Sequence, residues 1–338
     1  MYFNLEVGFL GNASYYPATG NPYNSLTSFV GITVMGIFLG FLIGTVEEIF
    51  FKHQLKGYPF FLKIFLKTIL YLFLIGLLII VLSFMLNASN MGTSVIDKEV
   101  ESTVLSFIVS FSFLSTLIFV GVLIALSLFF SEIVDFLGMD VVGSFFTGKY
   151  ARSVIEDKVF MFLDMKSSTA IAEKLGHEKH YRLINDYYSD MSEAIVQTKG
   201  LIYQYVGDEI VIYWNTSDGL GTSGCLRCFF MVQRSINARS QHYQKEYGLV
   251  PEFKAGIHYG QVTRGQVGGI KRELLFTGDV LNTTARIQSM CNELNADLLV
   301  SSELKNGLVG SEFEFINRGS FSLKGRNKEA TLFEVAEK

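Results

Sequence analysis

The stretch Phe160-Met-Phe-Leu-Asp164-Met-Lys-Ser-Ser-Thr169 decides how the C-terminal half of this chain is read. Its apolar part, counted from Lys158, has the length and the Val, Phe, Met and Leu content of a buried strand. The strand stops on an acid, Asp164, and passes into small hydroxyl residues that suit a helix start. A carboxylate at that position is costly to desolvate without a partner. A divalent cation is one such partner, if a second carboxylate stands nearby and substrate phosphates complete the shell. Backbone N–H groups of Ser167, Ser168 and Thr169 at the helix start can cradle a phosphate. Taken alone, Asp164 reads first as an ordinary helix cap.

The second carboxylate lies in Tyr203-Gln-Tyr-Val-Gly-Asp208-Glu-Ile-Val, where strands over 201–206 and 209–214 flank a tight Gly207-Asp208 turn. Alone this is a common turn; beside Asp164 it makes a carboxylate pair. Further on, Phe276-Thr-Gly-Asp-Val-Leu-Asn282-Thr-Thr-Ala-Arg286-Ile puts Asn282 and Arg286 four apart, hence on one helix face. An amide and a guanidinium there can orient a sugar and neutralise a phosphoryl group, although a plain polar face looks the same. Ser322-Leu-Lys324-Gly-Arg326 offers one more cation for phosphates, or a simple basic turn.

Between these segments the pattern alternates. Helices are predicted over 170–175, 180–199, 223–247 and 279–291, and strands over 252–258, 274–277, 297–301, 313–322 and 330–335. Strand-helix-strand-strand-helix-strand order predicts an α+β fold with helices packed on a sheet.

The N-terminal part differs. The 338-residue chain is 49% hydrophobic and 18% charged, and the excess of apolar residues precedes residue 155. Leu26–Val46, Thr68–Leu86 and Val104–Phe130 contain no charge, and each is long enough to cross a bilayer core of about 30 Å as a helix. Lys52, His53, Lys56, Lys63 and Lys67 between the first two runs place that connection in the cytoplasm. The loop carrying Asp97, Lys98, Glu99 and Glu101, and the first 25 residues with Glu6 alone, then face outside. Three spans leave the C-terminal domain cytoplasmic. Ser131-Glu-Ile-Val-Asp-Phe-Leu-Gly-Met-Asp-Val-Val142 is amphipathic and is expected to prolong the last span as a linker helix. The expected organisation is an extracytoplasmic segment 1–25, a membrane region 26–130, a linker 131–155 and a catalytic domain 156–338, in a multi-pass inner-membrane protein. A net charge of -4 gives no general attraction to nucleic acid.

In combination and order, the segments around Asp164, Asp208, Asn282/Arg286 and Lys324 resemble the class III adenylate and guanylate cyclases over 156–338. The resemblance implies a ferredoxin-like α+β catalytic domain and a head-to-tail homodimer with sites at its interface. It implies that Asp164 and Asp208, helped by the Met165 carbonyl, hold two Mg²⁺ or Mn²⁺ ions. It further implies that Asn282 orients the ribose, Arg286 stabilises the transition state and Lys324 contacts the triphosphate. The base-reading positions of the family fall on Gln204 and Leu275, with Thr277 close by. The family's guanine-selecting Glu is absent, so ATP is the expected substrate and GTP the alternative. A non-catalytic membrane receptor or scaffold that only dimerises is the reading from another class. The membrane part resembles a bacterial group of cyclases with four spans, of which this chain shows three. A membrane ligand or a protein regulator is left open as a further partner.

Other features carry less. Cys225-Leu-Arg-Cys228 has the spacing of a metal or redox pair, but no second pair follows and the segment reads as apolar helix. His177 and His180 read as surface residues and His258 as core. The Gly-Asp-Glu turn is shared with diguanylate cyclases, whose second Gly is replaced here by Val206.

Overall fold

The computed structural model describes residues 25–47, 49, 58–138, 142, 143, 146, 148, 152–270, 273–309, 312–322 and 329–338. The chain divides into two compact units, 1–143 and 144–338.

The first unit is helical: α1 (Ser25–Val46), α2 (Phe60–Met91), α3 (Lys98–Ile108) and α4 (Phe111–Leu137). Among the described residues two helices, Phe60–Met91 and Phe113–Leu137, are long and apolar enough to cross a membrane. The first charge-free run is helical as well, with Gly36–Val46 as its described apolar part. Helix α2 spans 32 residues, about 48 Å, and takes Lys63 and Lys67 into its first turns. The run from Val104 to Phe130 is not one helix. Ser110 breaks it, its Oγ accepting from the Phe113 N–H at 3.2 Å as a new N-cap. Val104 therefore belongs to α3, where it packs with Val100 and Ala88. Helices α2 and α4 approach closely at Gly121, where an added Cβ would stand 3.0 Å from Leu72. Helix α4 stops at Leu137; the rest of the predicted linker helix includes Met139–Val141, which lie outside the described residues.

The second unit is built on one sheet in the order β2-β3-β1-β4-β6-β8-β7, with β5 paired to β4. Its strands are β1 (Val154–Met165), β2 (Leu201–Val206), β3 (Glu209–Asn215), β4 (Phe253–Val267), β5 (Glu273–Thr277), β6 (Leu298–Ser301), β7 (Phe313–Phe321) and β8 (Ala330–Glu337). Its helices are α5 (Ser168–Leu175), α6 (His177–Gln197), α7 (Thr216–Gly219), α8 (Gly224–Ala238), α9 (Ser240–Tyr247), α10 (Asp279–Glu293) and α11 (Ser302–Gly307). Strand β1 is central, antiparallel to β3 and β4, while β6 runs parallel to β4.

Alternation along β1 explains its unbroken apolar run. Val159, Met161, Leu163 and Met165 pack with Leu183, Tyr187 and Met191 of α6 and with Cys225, Leu226 and Phe229 of α8. Phe160 and Phe162 point the other way, into a cluster with Val211, Tyr213, Val262, Phe276 and Val280. Both faces are buried, so every residue from Val159 to Leu163 is apolar.

Two boundaries depart from the sequence reading. The helix expected over 223–247 is two helices joined at Arg239, whose guanidinium pairs with Asp190 at 2.6 Å. Strand β4 continues past His258 to Val267 and turns back as β5. Its glycines suggest a stop, but they admit a helix: an added Cβ at Gly256 would lie 2.3 Å from the Gln288 backbone nitrogen of α10. Cys225, Cys228 and Cys291 are all buried, and burial pushes each thiol up to about 12. The C-x-x-C pair is core packing.

Candidate active site

Asp164 is the next-to-last residue of the central strand, and register fixes its neighbours. Glu209 of β3 stands opposite on one side and Lys254 of β4 on the other. The β2–β3 turn then brings in Asp208. Gly207 there has φ 65°, a backbone that a side chain would strain. Tyr188 of α6 holds the turn, its hydroxyl lying 2.9 Å from the Gly207 carbonyl and 3.1 Å from that of Glu209. Asp208 is thus placed by a hairpin, a glycine and a helix-borne phenol acting together.

The two carboxyls lie within hydrogen-bonding reach of each other. Burial raises the pKa of Asp164 above the usual carboxylate range, the Asp208 charge raises it further, and Lys254 partly offsets both. Glu209 is raised to about 7, first by burial and then by the charges of Asp164 and Asp208. Asp164 and Asp208, with the charge of Glu209 nearby and one ammonium from Lys254, form a site short of positive charge.

Lys254 Nζ lies 3.4 Å from Asp164 Oδ2, and Gln288 Nε2 donates to the same oxygen at 3.0 Å. Neither was singled out from sequence. The available signals were a lysine in the apolar run Phe253-Lys-Ala-Gly-Ile and a glutamine that α10 turns inward, where it is 7% exposed.

After Asp164 the chain turns sharply. Ser167 has φ 56° and precedes α5, whose first turn carries Ser168 and Thr169. The first N–H groups of a helix have no intrahelical acceptor, so this turn is suited to an anion. Ser168 Oγ stands 3.5 Å from His180 Nε2. Met165 is buried and pairs with Phe253.

Asn282 and Arg286 both lie on α10, Asn282 exposed and Arg286 half-buried. Besides burial, the largest influences on Asp164 are Asp208 and Lys254. Arg286 Nη1 is buried and has no hydrogen-bond partner among the described residues. The structure gathers the acids into one cluster, and among the described residues no hydrogen bond or ion pair joins Asn282 or Arg286 to it. Gln204 is exposed on β2. Leu275 and Thr277 are exposed on β5, and Thr277 Oγ1 lies 3.5 Å from the Thr263 carbonyl. Lys324 lies outside the described residues.

The arrangement is similar to known proteins. A family model described as the adenylate and guanylate cyclase catalytic domain matches residues 152–335. A protein named adenylate cyclase 2 from Rhizobium meliloti is 32% identical over 209 residues, 62% of this chain and 58% of that protein. One named adenylate cyclase from Anabaena cylindrica is 26% identical over 183 residues, 52% of this chain and 36% of its own length. The chain thus spans less than two thirds of either relative. A solved bacterial light-regulated adenylyl cyclase shares the fold with a TM-score of 0.50 at 21% identity, over 55% of this chain and 54% of that one.

Proposed function

The chain belongs to the adenylate and guanylate cyclase catalytic-domain family, and from that premise we propose that it is a membrane-anchored adenylate cyclase. It closes ATP to 3′,5′-cyclic AMP and releases pyrophosphate. The observation that carries this reading is the acid cluster of Asp164 and Asp208 just before the start of α5, with an arginine nitrogen of α10 buried and unpartnered among the described residues.

The donors fit divalent cations. A buried Asp164 raised further by the neighbouring Asp208 charge gains from a cation between the two, and the Met165 carbonyl and substrate phosphates would complete an oxygen shell. Among the described residues no group of three His, Cys, Asp or Glu converges, so substrate oxygens are needed as ligands. Asp164 and Asp208 would hold the two Mg²⁺ or Mn²⁺ ions, whose charge would acidify the ribose 3′-hydroxyl and offset that of the leaving pyrophosphate.

The chain's own groups do the positioning. Asp164 and Asp208 hold the cation–triphosphate. The first turn of α5 receives phosphate oxygens through N–H groups around Ser167, Ser168 and Thr169. Asn282 orients the ribose so that its 3′-oxygen meets the α-phosphorus in line with the departing oxygen. As the 3′-oxygen gives its proton to water and bonds to the α-phosphorus, the bond from that phosphorus to the pyrophosphate oxygen breaks, and Arg286 stabilises the added charge on phosphorus. Lys324 binds the triphosphate. Because Arg286 Nη1 is buried without a hydrogen-bond partner among the described residues, we assign it to the site of a second copy, which makes the active form a homodimer with two equivalent sites.

The apolar helices α2 and α4 anchor the chain in the inner membrane. Lys63 and Lys67 mark the cytoplasmic end of α2, and the cyclase domain lies on that side. The test is a product assay on the full chain with ATP and GTP offered separately, each with Mg²⁺ and with Mn²⁺. Cyclic AMP from ATP is the expected result. Cyclic GMP from GTP, with no cyclic AMP from ATP, would transfer the reading to a guanylate cyclase, which Gln204 allows because an amide both donates and accepts. No cyclic product from either nucleotide would leave a dimerising scaffold.

A further inference from the structure

A metal-binding carboxylate is useful only if the correct oxygen faces the cation. The last torsion of an aspartate side chain is soft and does not hold that orientation by itself. In this chain two donors meet on one oxygen of Asp164: the Gln288 amide at 3.0 Å and the Lys254 ammonium at 3.4 Å. Both are tied to α10. Gln288 belongs to that helix, and Lys254 Nζ donates at 3.0 Å to Oδ1 of Asn292, one turn further along it.

The helix itself is fixed in place. Gly256 of β4 lets the α10 backbone come so close at residue 288 that no side chain fits between them. Gln288 is 7% exposed, with Thr284 and Ile287 buried beside it. The amide therefore reaches Asp164 from a rigid, dry support, as required of a group that orients a ligand rather than competes with water.

We infer that Gln288 is a positioning residue, holding Asp164 Oδ2 so that Oδ1 is presented to a cation shared with Asp208. The inference rests on the metal-dependent cyclase reading given above. It assigns α10 two tasks at opposite places: Gln288 serves the acids of its own chain, while Asn282 and Arg286 serve the second copy. Loss of the amide should weaken the metal more than it slows the bound substrate. Removal of an orienting partner of this kind typically weakens metal binding by about 10-fold to 100-fold.

The test uses the full chain and Gln288→Met, which keeps length and volume but cannot donate. Mn²⁺ binding is followed by the electron paramagnetic resonance of free Mn²⁺ in the presence of a non-cyclisable ATP analogue. The expected result is at least a tenfold weaker Mn²⁺ affinity, with kcat at saturating Mn²⁺ falling by less than half of that factor. A mixed dimer gives a second readout. One chain carrying Asp164→Asn and the other Arg286→Ala leave one intact site, whose Asp164 comes from the Arg286→Ala chain. Adding Gln288→Met to that chain should lower activity at limiting Mn²⁺ at least fivefold further than adding it to the other. Unchanged Mn²⁺ affinity, or equal losses from both placements, overturns the inference while leaving the cyclase reading intact. A wild-type chain that forms no cyclic nucleotide and binds no Mn²⁺ overturns both.

Discussion

Two polar regions of the cyclase unit were formed in opposite ways. The strand-end acids are crowded: Asp164 has Gln288, Lys254, Glu209 and Asp208 around it, all set by sheet register, a hairpin and one helix. The Asn282/Arg286 face of α10 has a buried guanidinium nitrogen without a partner among the described residues. A folded chain rarely buries a polar atom and leaves it unmatched, because the lost hydrogen bonds to water are not replaced. The contrast teaches that the fold itself surrounds the acids with partners, whereas on the proposed reading the Arg286 nitrogen finds its partner in the substrate held by a second copy.

The largest effect expected from breaking the contrast is at the crowded end. Asp208→Asn should lower kcat on the order of 1,000-fold or more with an unchanged circular dichroism spectrum. Activity within tenfold of wild type would sink the metal assignment. At the prepared end, Arg286→Ala should lower kcat by roughly 100-fold, with little change in melting temperature. Mixing that variant with Asp164→Asn should restore activity, since one hybrid site then holds both intact halves. Failure of any mixture to exceed the single variants would place both halves in one chain. A smaller effect concerns the seam between the regions. Gly256→Ala should destabilise the protein by about 1–3 kcal/mol through overpacking against α10, read as a lower thermal midpoint.

The smallest effect is one of pH. Glu209 is raised to about 7 in the fold from an ordinary value of 4.5. A raised acid favours the protonated folded state, so its contribution to stability is present below the unfolded pKa and is lost as pH rises through about 7. Glu209→Gln should therefore raise the melting temperature of the metal-free protein at pH 8 and change it little at pH 5. A shift of equal size at both values would show that Glu209 is not held protonated.

The strand-end acid, the hairpin acid and the Asn282/Arg286 spacing were legible because each is a short pattern tied to a local element. The neighbours of Asp164 were not. Lys254 lies 90 residues away in sequence and Gln288 lies 124, and only the pairing of β1 with β4 and the seating of α10 bring them in. The extent of β4 was hidden for a related reason: its glycines look like stop signals until the helix they admit is known. In the first unit, charge-free runs located the helices, but Ser110 inside the third run was a cap that an apolar count passes over.

The buried cysteines have a practical corollary. Thiols whose pKa is pushed up to about 12 and which lie inside helix–sheet packing react slowly with maleimides and methanethiosulfonates at neutral pH. The natural chain is thus a silent background for labelling. A single cysteine introduced at exposed Asp279 or Leu275 would accept a spin label or fluorophore selectively, so the separation of two copies can be measured without first stripping the protein of its own sulfur.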